Sequence, residues 1–294
     1  MAETTLATKA RSSKRDAQGP FRVFTHRLVR YRPGFYSLII LVILYILAFI
    51  GPFFIRYSPN ELDLTNMLAG PSIHHLLGTD ENGRDVFARL LYGGRVSLIV
   101  GLIAVVISDT IGVLLGAVSG YFGKATDLIV MRFTDALLAI PGFLLLLVVL
   151  SLFSPSLTKI ELAIGLTSWM TIARLVRGEF LRFKDSDFVL ASKSIGASDW
   201  RIMFRHILPQ SVSPVIVASS ILVGVAIILE SSLSYLGLGI QPPQASWGNM
   251  LTGAQNYVFS EPMLAIYPGL LILITVAAFN YFGEGLRTAL NVAE

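Results

Sequence analysis

Long uncharged runs alternate along the chain with short segments that hold most of its charge. A helix needs about 20 apolar residues to cross the hydrocarbon core of a membrane. Four runs reach that length: Pro33–Ile55, Ala136–Thr158, His206–Leu229 and Pro262–Gly283. A fifth, Val96–Gly123, is interrupted only by Asp109. The run Leu162–Ala173 is shorter, but extending it to Leu157–Val176 lets Lys159 and Arg174 snorkel to opposite interfaces. Without it as a sixth span, the basic segment that follows would face outward. The pattern therefore predicts an all-α polytopic membrane protein with six transmembrane helices.

Charge orients the spans. Residues 1–32 carry Lys9, Arg11, Lys14, Arg15, Arg22, Arg27, Arg30 and Arg32, and 174–205 carries Arg174, Arg177, Arg182, Lys184, Lys193, Arg201 and Arg205. The segments assigned to the outside hold only Arg56, Arg84, Arg89 and Lys159. Basic residues concentrate on the cytoplasmic side, so both termini are expected inside. Residues 1–20 read as a disordered cytoplasmic tail. Phe21, Phe24, Leu28 and Tyr31 then recur at helical spacing among arginines, which fits an interfacial helix over 21–32. A solvated basic tail is the alternative for Phe21 and Phe24. Residues 33–92 are expected to form the first span and an extracytoplasmic loop, and 93–290 the transmembrane core. No small-residue cleavage site follows the first apolar run, so a cleaved signal peptide is not expected. No internal repeat is evident.

Composition agrees: 54% of the residues are hydrophobic and 14% charged, against roughly 25% charged in a soluble domain. That excludes a disordered chain, a nucleic-acid-binding arm and an ordinary cytosolic enzyme. The absence of cysteine excludes disulfides, thiolate metal sites and cysteine nucleophiles. Ser119–Asp127 has Gly123-Lys124 but Val118 where a phosphate-binding loop needs its first glycine. Gly237-Leu238-Gly239 lacks the rest of a dinucleotide fingerprint. No catalytic residue, metal site or cofactor is expected in the chain. His74 and His75 are adjacent, so on an extended segment they point to opposite faces, and a surface loop is the better reading.

The stretch Asp187–Pro209, within the cytoplasmic loop at about 185–209, carries the most information. Asp187 is a candidate N-cap and Gly196 suits the residue just past a helix end, where positive φ is cheap. Ser198 can cap a second helix with Asp199 in its first turn. Trp200, Met203, Phe204 and Ile207 then fall on one face. A helix–Gly–helix with an aromatic face needs a partner, either the chain's own spans or another protein. Among ionisable residues inside the spans, Asp109, Asp135 and Glu230 are candidates for the pathway, although Arg132 and Asp135 at i, i+3 can also neutralise each other. The uncharged outer segment Gly237–Ser260, with Pro242, Pro243, Trp247 and Tyr257, suits a packed loop, a gate or a docking surface.

The spacing over 190–209 resembles the cytoplasmic motif of permeases of ATP-binding-cassette (ABC) importers: EAA, three residues, Gly, nine residues, Ile-x-Leu-Pro. Ala191, Gly196, Leu208 and Pro209 fall on it, while Leu190, Ser192 and His206 replace its Glu, second Ala and Ile. His75–Leu98, Glu230–Leu251 and Tyr267–Leu290 resemble the second, C-type permease subunit of dipeptide, oligopeptide and nickel importers. The resemblance implies a type I importer permease in a prokaryotic inner membrane. It would be partnered by a sister permease, two ATPase subunits that bind ATP and Mg²⁺, and an extracytoplasmic substrate-binding protein. It also implies that Ala191, Ser192, Gly196, Ala197, Ser198, Asp199 and Trp200 meet an ATPase subunit, with Leu208 and Pro209 ending the segment at the membrane. Peptides are the expected cargo, with nickel or another small solute as the alternative. An ion-driven secondary transporter would show repeat symmetry and interrupted spans in matching positions, and the sequence displays neither. A membrane scaffold or receptor leaves Asp109 and Glu230 unexplained.

Overall fold

The computed structural model of the protein describes residues 20–152 and 156–290. The disordered tail expected over residues 1–20 lies almost wholly outside them. Apart from one isolated bridge between Thr79 and Asp85, the regular structure of the described residues is helical. In chain order the helices are α1 (Pro20–Arg30), α2 (Arg32–Phe49), α3 (Val86–Phe122), α4 (Lys124–Leu138), α5 (Gly142–Ser151), α6 (Leu157–Phe183) and α7 (Asp187–Ser194). They continue with α8 (Asp199–Tyr235), α9 (Trp247–Ala254) and α10 (Met263–Leu290).

Six crossings were expected. Among the described residues four helices are long and apolar enough to cross a membrane, namely α2, α3, α8 and α10, or five if α4 and α5 together form one. The expected span Ala136–Thr158 is not a single rod. Helix α4 starts earlier, at Lys124, the chain breaks at Ala139–Pro141, and α5 leaves at 86°. Pro141 explains the break, since it has no N–H to continue the ladder and its ring clashes with the preceding turn. Among the described residues α4 and α5 are the one bent pair of this kind. Helix α6 starts at Leu157 as expected, but the charges Lys159, Glu161, Arg174 and Arg177 leave it a short apolar stretch.

The apolar runs cover only part of α3, α8 and α10. Helix α3 begins ten residues before its run, where the Asp85 carboxylate caps it by accepting from the Ala88 N–H at 2.7 Å. Small residues let the backbones meet. A Cβ on Gly112, Gly116 or Gly120 of α3 would approach Ile172 Cβ to 2.7 Å, Ala173 O to 2.5 Å and Phe180 Cβ to 2.6 Å. Spacing of four places the three glycines on one stripe against α6, the small-xxx-small arrangement of membrane helix pairs. Gly34 of α2 and Gly285 of α10 cross in the same way, a Cβ on Gly34 coming within 2.7 Å of Gly285 Cα. Helix α3, bordered by α6 on one side and α8 on the other, thus runs through the middle of the structure.

Candidate functional site: the α7–α8 segment and its connections

The α7–α8 segment closes on itself as a helix–Gly–helix. Ser186, not Asp187, is the N-cap of α7, and Asp187 is the first helical residue. Helix α7 ends in a Schellman motif: the Ala197 N–H donates to Ser192 O at 3.1 Å and the Gly196 N–H to Lys193 O at 3.0 Å. That geometry needs the φ of +78° that Gly196 adopts. Ser198 stands at the N-cap of α8 without a side-chain capping bond, and Asp199 opens its first turn. The Asp199 carboxylate accepts instead from Tyr121 Oη, at the C-terminal end of α3, at 2.7 Å. Lys193 of α7 places its ammonium 5.4 Å from the Tyr121 ring centre. One tyrosine therefore contacts both arms of the segment.

The face expected from Trp200, Met203, Phe204 and Ile207 is divided. A π-helical turn over Ile202–Ile207 widens the helix and breaks the 3.6-residue period. Met203 and Ile207 are buried with Ile202, Val189 and Phe180, whereas Trp200 is 63% exposed and stacks on Phe204 at 4.9 Å. Ile195 is 87% and Leu190 50% exposed. Ala191, Gly196, Ser198 and Asp199 are also exposed and Ala197 is partly so, while Ser192 is buried and donates to Phe188 O. The helix does not break at Pro209. The π turn lets helix α8 run on through Leu208 and Pro209, placing the proline, which has no N–H, in the first turn of the α-helical stretch that follows.

Beside this segment Arg177 of α6 grips Asp127 of α4 with Nε and Nη2, and Ser119 of α3 donates to the same carboxylate. Asp135 does not pair with Arg132. It binds Arg174 of α6 at 2.6 Å, an ion pair about half exposed. Asp109, half-buried, accepts from Ser219 Oγ of α8 at 2.6 Å, and its other oxygen is buried without a hydrogen-bond partner. Glu230 is fully buried and does not lie on an open face of the chain. It accepts from Ser97 Oγ of α3 at 2.9 Å and from Ser234 Oγ at 2.8 Å, with Ser231 Oγ at 3.4 Å. Ser97 Oγ in turn accepts from the Trp247 N–H at the start of α9, at 3.3 Å. The carboxylate therefore ties α3, α8 and α9 together.

On the opposite end of the molecule the loop over residues 50–85 is a network of charges. Arg84 pairs with Asp80 at 2.7 Å and with Glu81 at 3.0 Å, and Arg89 donates to Pro59 O at 3.1 Å. His75 binds Asp85 at 2.9 Å and lies against Tyr57, so it is a partly buried loop anchor, while His74 is exposed. No cluster of three or more His, Cys, Asp or Glu suited to a metal exists among the described residues. In the loop, bonds from Asn66 and Thr65 hold the Asp63 carboxyl below its usual range. The uncharged segment folds down as a packed loop. Ser246 and Asn249 form a capping box for α9, and Trp247 Nε1 donates to Leu90 O at 3.0 Å.

Sequence reasoning missed Tyr121, the Asp127–Arg177 pair and the glycine stripe on α3. Only the glycine spacing was readable in one dimension.

The fold has a counterpart among solved membrane transporters. A chain of the MetNI methionine ABC transporter, in an inward-facing conformation, is 17% identical and aligns with a TM-score of 0.55 over 68% of this chain and 95% of that one. Residues 112–292 match the family described as binding-protein-dependent transport system inner membrane component, and 19–71 match the N-terminal TM domain of oligopeptide transport permease C. The chain belongs to the binding-protein-dependent inner membrane component family and is the multi-pass membrane permease of an ABC importer. The glutathione transport system permease protein GsiD of Pectobacterium atrosepticum is 39% identical over 97% of this chain and 95% of its own length. The oligopeptide transport system permease protein OppC of Bacillus subtilis is 36% identical over 97% and 94%.

Proposed function

We propose that the protein is the permease of a peptide importer. The observation that carries this reading is its similarity to glutathione and oligopeptide permeases over almost the whole chain. The chain crosses the membrane six times with both termini in the cytoplasm, where its basic segments lie. It forms the translocation pathway with a sister permease, and an extracytoplasmic binding protein delivers the cargo. ATP and Mg²⁺ are bound by two ATPase subunits, and this chain performs no hydrolysis itself.

The Gly196-centred segment is the contact with an ATPase subunit. Leu190, Ile195 and Trp200 present apolar surface to it, with Ala191, Gly196, Ala197, Ser198 and Asp199 between them. Ser192 holds the first helix in place from within, and Leu208 and Pro209 carry the segment into the span. Asp109 and Asp135 face the pathway, while Glu230 positions the outer loop. Uptake of labelled dipeptide, longer peptide and Ni²⁺ in cells with and without the chain tests the reading. ATP-dependent uptake of a peptide is expected to disappear without it. Loss of Ni²⁺ uptake alone would replace peptide by nickel, and no change in any of the three would remove both.

A further inference from the structure

Helix α1 turns apolar side chains into the protein and leaves a basic face open. An amphipathic helix beside a span ordinarily lays its apolar face in the lipid. Here part of that face is already taken. Leu28 is 7% exposed and packs on α10, where a Cβ on Gly285 would stand 3.2 Å from Leu28 Cδ1. Phe24, one turn earlier, is partly buried. Gly34 of α2 crosses the same Gly285, so α1, α2 and α10 meet at one point.

The face that remains is unbalanced in charge. His26, Val29 and Arg30 are exposed, and so is Arg32, which opens α2 just past Tyr31. No acidic residue occurs between Asp16 and Glu61, a stretch that holds Arg22, Arg27, Arg30 and Arg32. Among the described residues neither Arg30 nor Arg32 forms an ion pair. Glu284, the neighbour of Gly285 on α10, is bound by Arg287 at 3.7 Å. Helix α2 is long and apolar enough to cross a membrane and starts at Arg32. The open arginines therefore stand where the chain enters the bilayer, within a Debye length of about 8–10 Å from its headgroups. Charge complementarity names the occupant, because anionic lipids present their phosphates at that depth.

We propose that α1 docks on anionic phospholipid headgroups through Arg30 and Arg32, and so pins the crossing of α2 with α10 to the membrane surface. The attraction is electrostatic rather than insertive, since Leu28 is occupied by α10. It weakens as salt rises, and it accepts lysine in place of arginine because it asks for charge near a surface rather than for a bidentate fork. It holds whatever solute the permease carries.

The complete complex is placed in nanodiscs of phosphatidylcholine alone or mixed with phosphatidylglycerol, and amide hydrogen exchange is followed over residues 20–31. Exchange is expected about fivefold or more slower with phosphatidylglycerol at low salt, one basic side chain near an anionic surface being worth about that factor. The difference should vanish at high salt and in the pair Arg30→Gln with Arg32→Gln, and persist in the pair Arg30→Lys with Arg32→Lys. Equal exchange in the two lipids would overturn the proposal, as would slowing that survives the glutamine pair. Inorganic phosphate added to the phosphatidylcholine discs separates a free anion from a membrane, and equal slowing there would also overturn it. Should the glutamine pair fail to assemble, the lipid and salt comparisons on the parent complex still decide. Peptide uptake plays no part in the readout, so its failure would remove the peptide reading and leave the lipid contact standing.

Discussion

The contact of α3 with α6 makes a prediction of opposite signs for two alanines. A Cβ at Gly116 would stand 2.5 Å from Ala173 O and 2.9 Å from Val176 Cβ. Ordinary contact begins near 3.4 Å, so α6 has to retreat by about 0.9 Å. The obstructing atoms are backbone and Cβ, and no rotamer change relieves them. Overpacking of this kind costs about 1–3 kcal/mol, and the retreat also loosens the contacts at Gly112 and Gly120. Against it stands the preference of a helix for alanine over glycine, about 1 kcal/mol. Gly116→Ala is therefore expected to lose up to about 2 kcal/mol net. Gly178→Ala, on α6 with no atom within 4 Å of the added Cβ, should only gain from helix propensity. Thermal unfolding of the detergent-solubilised complex, followed by size-exclusion of the surviving assembly, reads both. A lower midpoint for Gly116→Ala and an equal or higher one for Gly178→Ala is expected. Two alanines that both raise the midpoint would refute the close approach of the helices.

Three further substitutions probe the connections. Tyr121→Phe removes the bond to Asp199, a hydrogen bond to a charged group of about 1.5–3 kcal/mol, while keeping the ring under Lys193. It should lower the peptide imported per ATP hydrolysed in proteoliposomes without lowering the amount of assembled complex. Glu230→Ala leaves the hydroxyls of Ser97 and Ser234 without their shared acceptor, at about 1–3 kcal/mol for each buried group, and should speed protease cleavage within Gly237–Ser260. Arg84→Met removes the cation shared by Asp80 and Glu81, in a site where Arg84 and Asp80 are each 10% exposed, and leaves Asp80 only Arg89 Nε at 3.4 Å. Breaking a buried pair outright costs about 3–5 kcal/mol; with Arg89 still in place the loss is smaller, and the loop over residues 50–85 should become the first site of proteolysis.

The spans on α2, α3, α8 and α10 were legible because lipid imposes one rule on every residue that faces it. Where a second requirement enters, the sequence reads less well. The uncharged run of 136–158 looks continuous to any count of charges, and only the Pro141-Gly142 pair inside it signals the bend. The partner of Asp135 lies 39 residues away on α6, so the local i, i+3 rule picked Arg132. The helical face through Trp200 and Ile207 assumed a constant period that the π turn does not keep. In the α7–α8 segment Gly196 was readable because left-handed backbone favours one residue type. Tyr121 was not, because nothing in a helix end announces what docks on it. Glu230 shows both cases: Ser234 is four residues away on its own helix, whereas Ser97 comes from α3.

Coupling through the Gly196 segment is the central claim, and Gly196→Pro tests it most directly. Proline fixes φ near −65° and has no N–H, whereas Gly196 sits at +78° and donates to Lys193 O. The complete complex with its binding protein is reconstituted in proteoliposomes, and ATP hydrolysis and peptide uptake are measured together. Hydrolysis that continues while uptake is lost, with the chain inserted and assembled as before, is the predicted result. Uptake at the parent ratio to hydrolysis would contradict the account.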